Sequence, residues 1–379
     1  MPFEVKVDGI PAGYSVKGAR KGETCDVIVQ EFTSSEDGDL FISRLEGFPS
    51  ELIGLLPPEN RISCSMIDNL LAIVRRDQTA TLYVNEVPIR LVVRAKRAVR
   101  AGQAVLADDI AAVEDFGFVG VEIPPDAGIV CIFSQGWRKG LYYDLGPLHG
   151  EVATPRDYDF GRMMAQQYAY LGFQHLFKIT DDEWDRMIAQ GWFPFISLRQ
   201  ATTKDLIGHL RAGFELDDLT ERVAAEFGQS LPAKLEAWKS NPFFEPHFKA
   251  FEKAVEHHLV GEYISSTSIL FPRLEGLMRT YHLTVNNPVK PDSHSLVASI
   301  TDGSEVAGRG YSLFLPKNFR RFLKEVYFAG FDPRNPVGLS RNTVSHGVAS
   351  LEDFTLKGSL IGLLILDQLF FYMRPQMDR

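Results

Sequence analysis

Near residue 150 the hydrophobic pattern of this chain changes period, and that change limits its possible folds more than any other feature. Before it, apolar residues alternate with polar ones or form short runs bounded by Gly, Pro and Asp. A period of two places every second side chain on one face of a strand. Strands are therefore predicted over 3–7, 26–30, 79–84, 89–93 and 128–133. Over 67–76, Leu70, Leu71, Ile73 and Val74 suit either a short helix or a buried strand. After about Thr203 apolar residues recur every three or four positions. That spacing predicts helices over 205–227, 233–240, 244–263, 264–283, 316–329, 336–346 and 351–373. Ser230-Leu231-Pro232 is expected to punctuate between the first two, and Pro272 to kink the fourth. The fold class that follows is α+β: a β-rich domain over 1–150, an aromatic-rich connection over 151–203, and an all-helical domain over 204–379.

The 379 residues give ample material for a core, with 45% hydrophobic and 23% charged residues, as in ordinary globular proteins. A net charge of -9 excludes a uniformly basic surface but not a local patch of Lys and Arg. Cys25, Cys64 and Cys131 are odd in number and far apart, which suggests neither a disulfide framework nor a zinc knuckle. The N-terminus lacks the pattern of a secretory signal, and the greasiest stretch, 360–373, is broken by Gly362, Asp367 and Gln368. At that length it reads as a buried helix and not a membrane span. A cytoplasmic protein is expected. The chain has no phosphate-binding G-x-x-x-x-G-K-[ST] loop and no H-E-x-x-H pattern, so neither an NTPase nor a zinc protease is indicated and no cofactor is expected.

The chemistry-bearing segment is Arg341-Asn342-Thr343-Val344-Ser345-His346. It is bounded by a turn containing Pro333, Pro336 and Gly338 and by Gly347, a residue type suited to a left-handed helix cap. Ser350-Leu351-Glu352-Asp353 then reads as a capping box opening the last helix. On a helix Asn342 and His346 share a face, and Arg341 stands about 140° from His346, within reach of its long side chain. Metal-free RNA cleavage needs proton transfer at the attacking 2′-hydroxyl or leaving 5′-oxygen, and stabilisation of charge on the phosphorane. Imidazole suits the first, and a fork-shaped guanidinium the second. The same residue types also fit a plainer role, a helix-end His and a solvated Arg.

The string 339–347, followed by an acid-opened, Leu-rich helix, resembles the R-x(4 to 6)-H signature of the HEPN superfamily, in which a polar residue commonly follows the Arg, as Asn342 does. Pro272-Arg273-Leu274-Glu275-Gly276-Leu277-Met278-Arg279 also looks like a helix that precedes this motif in larger bacterial HEPN proteins. The resemblance covers roughly 240–373. It implies a helical bundle that forms a homodimer, with two motifs facing each other in one composite site. It further implies metal-independent endoribonuclease activity in bacterial antiphage, abortive-infection or toxin systems. His346 would be the acid/base group, Arg341 the phosphate ligand, and Asn342 the residue that orients either. The alternative is a catalytically silent module for dimerisation or ligand binding, with function residing in the β-rich domain, which could also hold a sensor for a regulatory partner or trigger.

Glu275 and Arg279 form an i, i+4 pair; either it stabilises its helix, or Glu275 reaches the motif and fixes Arg341 or His346. Lys317, Arg320, Arg321, Lys324 and Arg334 make the stretch before the motif basic, a candidate rim for RNA phosphates. His257 and His258 diverge by about 100° on a helix, so no shared metal is expected, and both are predicted to lie at the surface. Dimerisation through the C-terminal helices is expected from the dense apolar run 360–373.

Overall fold

A computed structural model of the chain describes residues 2–150, 152, 154–285, 291–302, 310–334 and 338–373. Residues 286–290 and 303–309, in stretches whose Pro, Asn, Ser and Gly content predicts loops, and the expected helix start at Pro336 lie outside these. The chain divides into two compact units: Met1–Val93 with Val113–Gln174, and Arg94–Ala112 with His175–Arg379. The aromatic-rich stretch 151–203 is thus shared between the two.

The first unit is built on a six-stranded antiparallel sheet in the order Phe3–Lys6, Thr79–Val84, Asn69–Val74, Gly128–Gln135, Arg138–Asp144, Gln30–Ser34. The ambiguous run is a strand. Leu71 lies opposite Cys131 and Tyr83, and Leu70 to Val74 are buried on both faces, which explains a run too continuous to show alternation. The helices Asp39–Glu46 and Phe48–Gly54 cover one face, where Phe41, Leu52 and Ile53 join Leu70, Leu82 and Ile132. The helix Phe160–Gly172 packs on strands Gly128–Gln135 and Arg138–Asp144, its Tyr168 stacked on Phe133 at 6.1 Å between ring centroids.

The second unit is helical. Its helices are Asp181–Ala189, Gln200–Ala212, Thr220–Lys239, Phe248–Leu259, Tyr263–Val285, Ser293–Asp302, Pro316–Phe322, Arg341–Ser345 and Leu356–Tyr372. The run expected at 205–227 is two helices, because Gly213, at φ +76°, ends the first in the left-handed region where a missing Cβ removes the clash. Pro232 does not punctuate. It sits inside Thr220–Lys239, whose Leu231 and Trp238 are buried. Residues 94–112 join this unit: the Lys96 ammonium donates to the Leu198 carbonyl at 3.2 Å, and Asp108 accepts from the Gln200 amide at 2.6 Å, capping a helix that lacks its own side-chain cap.

Leu356–Tyr372 is the axis of this unit, buried at every position from Ser359 to Tyr372. A helix apolar all round has to be enclosed. It packs against Tyr263–Val285, Thr220–Lys239, Phe248–Leu259 and Ser293–Asp302. Gly362 permits the closest approach, since a Cβ there would meet Leu270 Cδ2 at 2.7 Å. The run 360–373, whose apolar density suggested a dimer interface, is buried within the unit from Ser359 to Tyr372. The polar residues that interrupt it are also satisfied internally. Asp367 Oδ2 accepts from Ser197 and Lys234, each at 2.5 Å, and Oδ1 from the Trp238 indole at 3.0 Å. Gln368 accepts from the Ile196 amide at 2.8 Å. Among the described residues no helix is long and apolar enough to cross a membrane.

Asp367 and Lys234 are 3% and 12% exposed, so removing one partner strands the other charge in the core. Asp367→Leu should lower unfolding free energy by about 3–5 kcal/mol, and the double change with Lys234→Met should recover most of it. Urea denaturation of the two variants checks this; a single variant as stable as wild type would contradict the buried pairing.

Candidate active site

The 341–346 segment forms a shorter helix than its pattern suggested. The helix spans only Arg341–Ser345, because Ser340 caps it: Ser340 Oγ accepts from the Thr343 amide at 3.2 Å, and Thr343 Oγ1 accepts from the Ser340 amide at 2.9 Å. Thr343 thus takes the position usual for Glu or Gln in a capping box. Gly347 does close the helix in the left-handed region, at φ +67°, and the amides of Val348 and Ala349 bond back to the Thr343 carbonyl at 3.0 and 3.2 Å. The expected capping box at Ser350 and Asp353 is present, but it opens a single turn, Leu351–Asp353; the long helix has its own cap, Thr355.

Within this frame Arg341 is fixed from two sides. Its Nε pairs with Glu275 Oε2, and its Nη1 donates to Asn342 Oδ1 at 3.0 Å. Glu275 projects from Tyr263–Val285 with only 8% of its side chain exposed, and its other oxygen accepts from Arg279 Nε and Nη2 at 2.9 and 2.6 Å. One buried carboxylate therefore binds two guanidiniums, leaving a local excess of one positive charge. Arg279 also donates to the Pro291 carbonyl at 3.1 Å. Asn342 turns its amide inward, donating to the carbonyls of Phe328 and Ala329 at 3.0 and 3.1 Å, and so ties the helix to the turn before it. Arg341 Nη2 has no partner among the described residues, and the side chain is 26% exposed.

His346 stands apart. It is the exposed cap residue one turn on, its ring 5.5 Å from that of Phe331, and neither ring nitrogen is bonded among the described residues. The structure thus joins Glu275, Arg279, Arg341 and Asn342 in one network and leaves His346 open to solvent at its end.

The basic stretch is less available than its composition suggested. Arg320 pairs with Asp302 and donates to Thr301 Oγ1 at 2.9 Å; Arg321 is held by Asp185 at 2.6 Å and Glu325 at 2.8 Å. Lys317 and Arg334 are exposed and Lys324 half-buried, with no ion pair among the described residues. His258 departs from expectation too: it is buried, and its Nδ1 bonds Ser359 Oγ at 2.8 Å, while only His257 faces outward to pair with Glu262 at 2.5 Å.

Two outcomes follow. Because Glu275 retains Arg279 when Arg341 is lost, Arg341→Ala should cost at most about 1 kcal/mol of stability, whereas Glu275→Ala, which frees two guanidiniums, should cost about 1–3 kcal/mol. Equal losses in denaturant titrations would contradict a shared carboxylate. Burial lowers the His258 pKa, so the unfolded chain takes up that proton first. Stability from neutral His258 is then full above the unfolded value of about 6.5 and declines as pH falls below it. His258→Asn should flatten that decline when melting temperature is followed between about pH 7 and pH 5.

Comparison with family models, curated proteins and solved structures returned no match for this chain.

Proposed function

We propose that the helical unit is a HEPN-type, metal-independent endoribonuclease that acts in bacterial antiphage or toxin systems in the cytoplasm. The observation that carries this reading is the state of Arg341. Its guanidinium is oriented by Glu275 and Asn342 and stays partly exposed, no hydrogen bond of Nη2 is formed among the described residues, and an exposed imidazole stands on the next helical turn. A positioned, partly exposed guanidinium suits a phosphate whose charge grows in the transition state. In the reaction the 2′-oxygen bonds to phosphorus, the bond from phosphorus to the 5′-oxygen breaks, and protons move from the first oxygen and to the second. His346 serves one of these transfers, and a second copy's motif in a homodimer serves the other. Glu275 is then a positioning residue, fixing the guanidinium plane.

A second reading is favoured by the same ion pair. Glu275 already neutralises much of Arg341, and His346 makes no bond to either Arg341 or Asn342. A silent module that binds RNA or a partner without cutting would need no more than this.

Cleavage of mixed RNA by the purified protein with EDTA present separates the two. The cleavage reading expects cutting by wild type, a loss of about 100-fold or more in His346→Ala with RNA binding retained, and severe impairment in Arg341→Lys, which keeps charge but not the fork. Circular dichroism and mass in solution establish that each variant is folded and in the same oligomeric state. Equal cutting by wild type and both variants overturns the assignment, and binding without any cutting supports the silent module.

A further inference from the structure

Beside the motif lies a cavity of about 370 Å³ that the reaction above does not use. Its apolar walls come from Phe271 on Tyr263–Val285, Tyr327, Leu339, and Ile361 and Ile365 on Leu356–Tyr372. Leu339 is two residues before Arg341, and Phe271 lies on the same helix as Glu275, four residues before it. The cavity and the Arg341 network therefore share a wall.

Its chemistry narrows the occupant. The volume is at the lower end for small-molecule sites, room for a single ring system and too little for a dinucleotide. The Tyr327 hydroxyl is spent on the Phe271 carbonyl at 2.6 Å, so Tyr327 offers ring and not hydroxyl. The polar part of the lining includes Glu352 and Asp353. Glu352 is exposed with no partner among the described residues, and Asp353 uses one oxygen to accept from the Ser350 amide at 3.1 Å. The cation in the lining, Lys357, is already held by the Gln190 carbonyl at 2.7 Å and by Asp217 at 2.6 Å. With that cation engaged by Asp217 and two acidic residues in the lining, a phosphate is disfavoured. A flat apolar ring that donates hydrogen bonds from its edge fits both sides.

We infer that this cavity takes a nucleobase bearing an exocyclic amino group, as in adenine, cytosine or guanine, with any attached phosphate left outside it. Carboxylates accept from such amino groups, whereas uracil presents carbonyl oxygens at the corresponding edge. Recognition of RNA commonly uses unstacked bases lodged against apolar and aromatic side chains. The base comes either from the strand whose phosphate Arg341 holds, which rests on the reading proposed above, or from a free nucleoside acting as an effector.

Ligand-observed nuclear magnetic resonance on the full-length protein with adenosine, cytidine, guanosine, uridine and spermidine tests this. Amino-bearing nucleosides should bind about tenfold or more tightly than uridine, and Glu352→Gln with Asp353→Asn, both near the surface, should erase that preference. Uridine binding equally well, spermidine binding more tightly than any nucleoside, or no nucleoside binding at all would overturn the inference. Mapping cut sites on RNA separates the sources. A preference for an amino-bearing base next to the cut that the double variant loses assigns the strand. Nucleoside binding by a protein that does not cut RNA assigns a free nucleoside, and in that case the nuclease reading fails while the cavity assignment stands.

Discussion

The helical unit depends on enclosing one helix that has no solvent-facing side. Leu356–Tyr372 presents apolar groups in every direction, and the chain responds by wrapping four other helices around it. Burial on that scale is the main favourable contribution to the unit, and it is non-directional. Direction is supplied by the few polar groups carried inward. Asp367 fixes the helix to Ser197, Lys234 and Trp238, Gln368 to the Ile196 amide, and Ser359 to His258 and Ser266. Each would be costly if unpaired, so together they favour one rotation and one depth of the helix over the many that hydrophobicity alone would allow.

The Arg341 network is a second level built on this axis. Gly362 brings Tyr263–Val285 close to the buried helix, and four residues beyond Phe271 that same long helix presents Glu275. The carboxylate then selects the orientation of Arg341, and Asn342 and Ser340 fix the five-residue helix on which it sits. A helix this short has little stability of its own. Its geometry is imposed by caps and by the Phe328 and Ala329 carbonyls, which makes the site rigid at Arg341 and open at His346.

Much of this organisation was legible in the residues. The change of hydrophobic period separated sheet from helices, and the buried character of 360–373 and the glycine cap at 347 read correctly. What escaped was set by distant partners. The run at 69–74 satisfied both strand and helix patterns, and only its pairing with 79–84 and 128–135 decided it. Pro232 was read as a stop, but burial of Leu231 and Trp238 carries the helix through it. The divergence of His257 and His258 was correct in angle, yet which of them turned inward depended on Ser359, a hundred residues on. Glu275 was visible as a partner for Arg279 at helical spacing; its reach to Arg341 was one of two options, and no local pattern could choose between them.

The excursion at 94–112 bears on how the chain is made. A fragment cut before residue 175 carries an incomplete helical unit, because it loses Asp108, which caps Gln200–Ala212, and Lys96, which bonds the Leu198 carbonyl. During synthesis that segment leaves the ribosome before the sheet's Gly128–Gln135 and Arg138–Asp144 strands exist, and it waits for partners about a hundred residues downstream. Completion of the helical unit is in this way tied to residues that lie, in sequence, inside the sheet unit, and neither unit is made from one continuous stretch of chain.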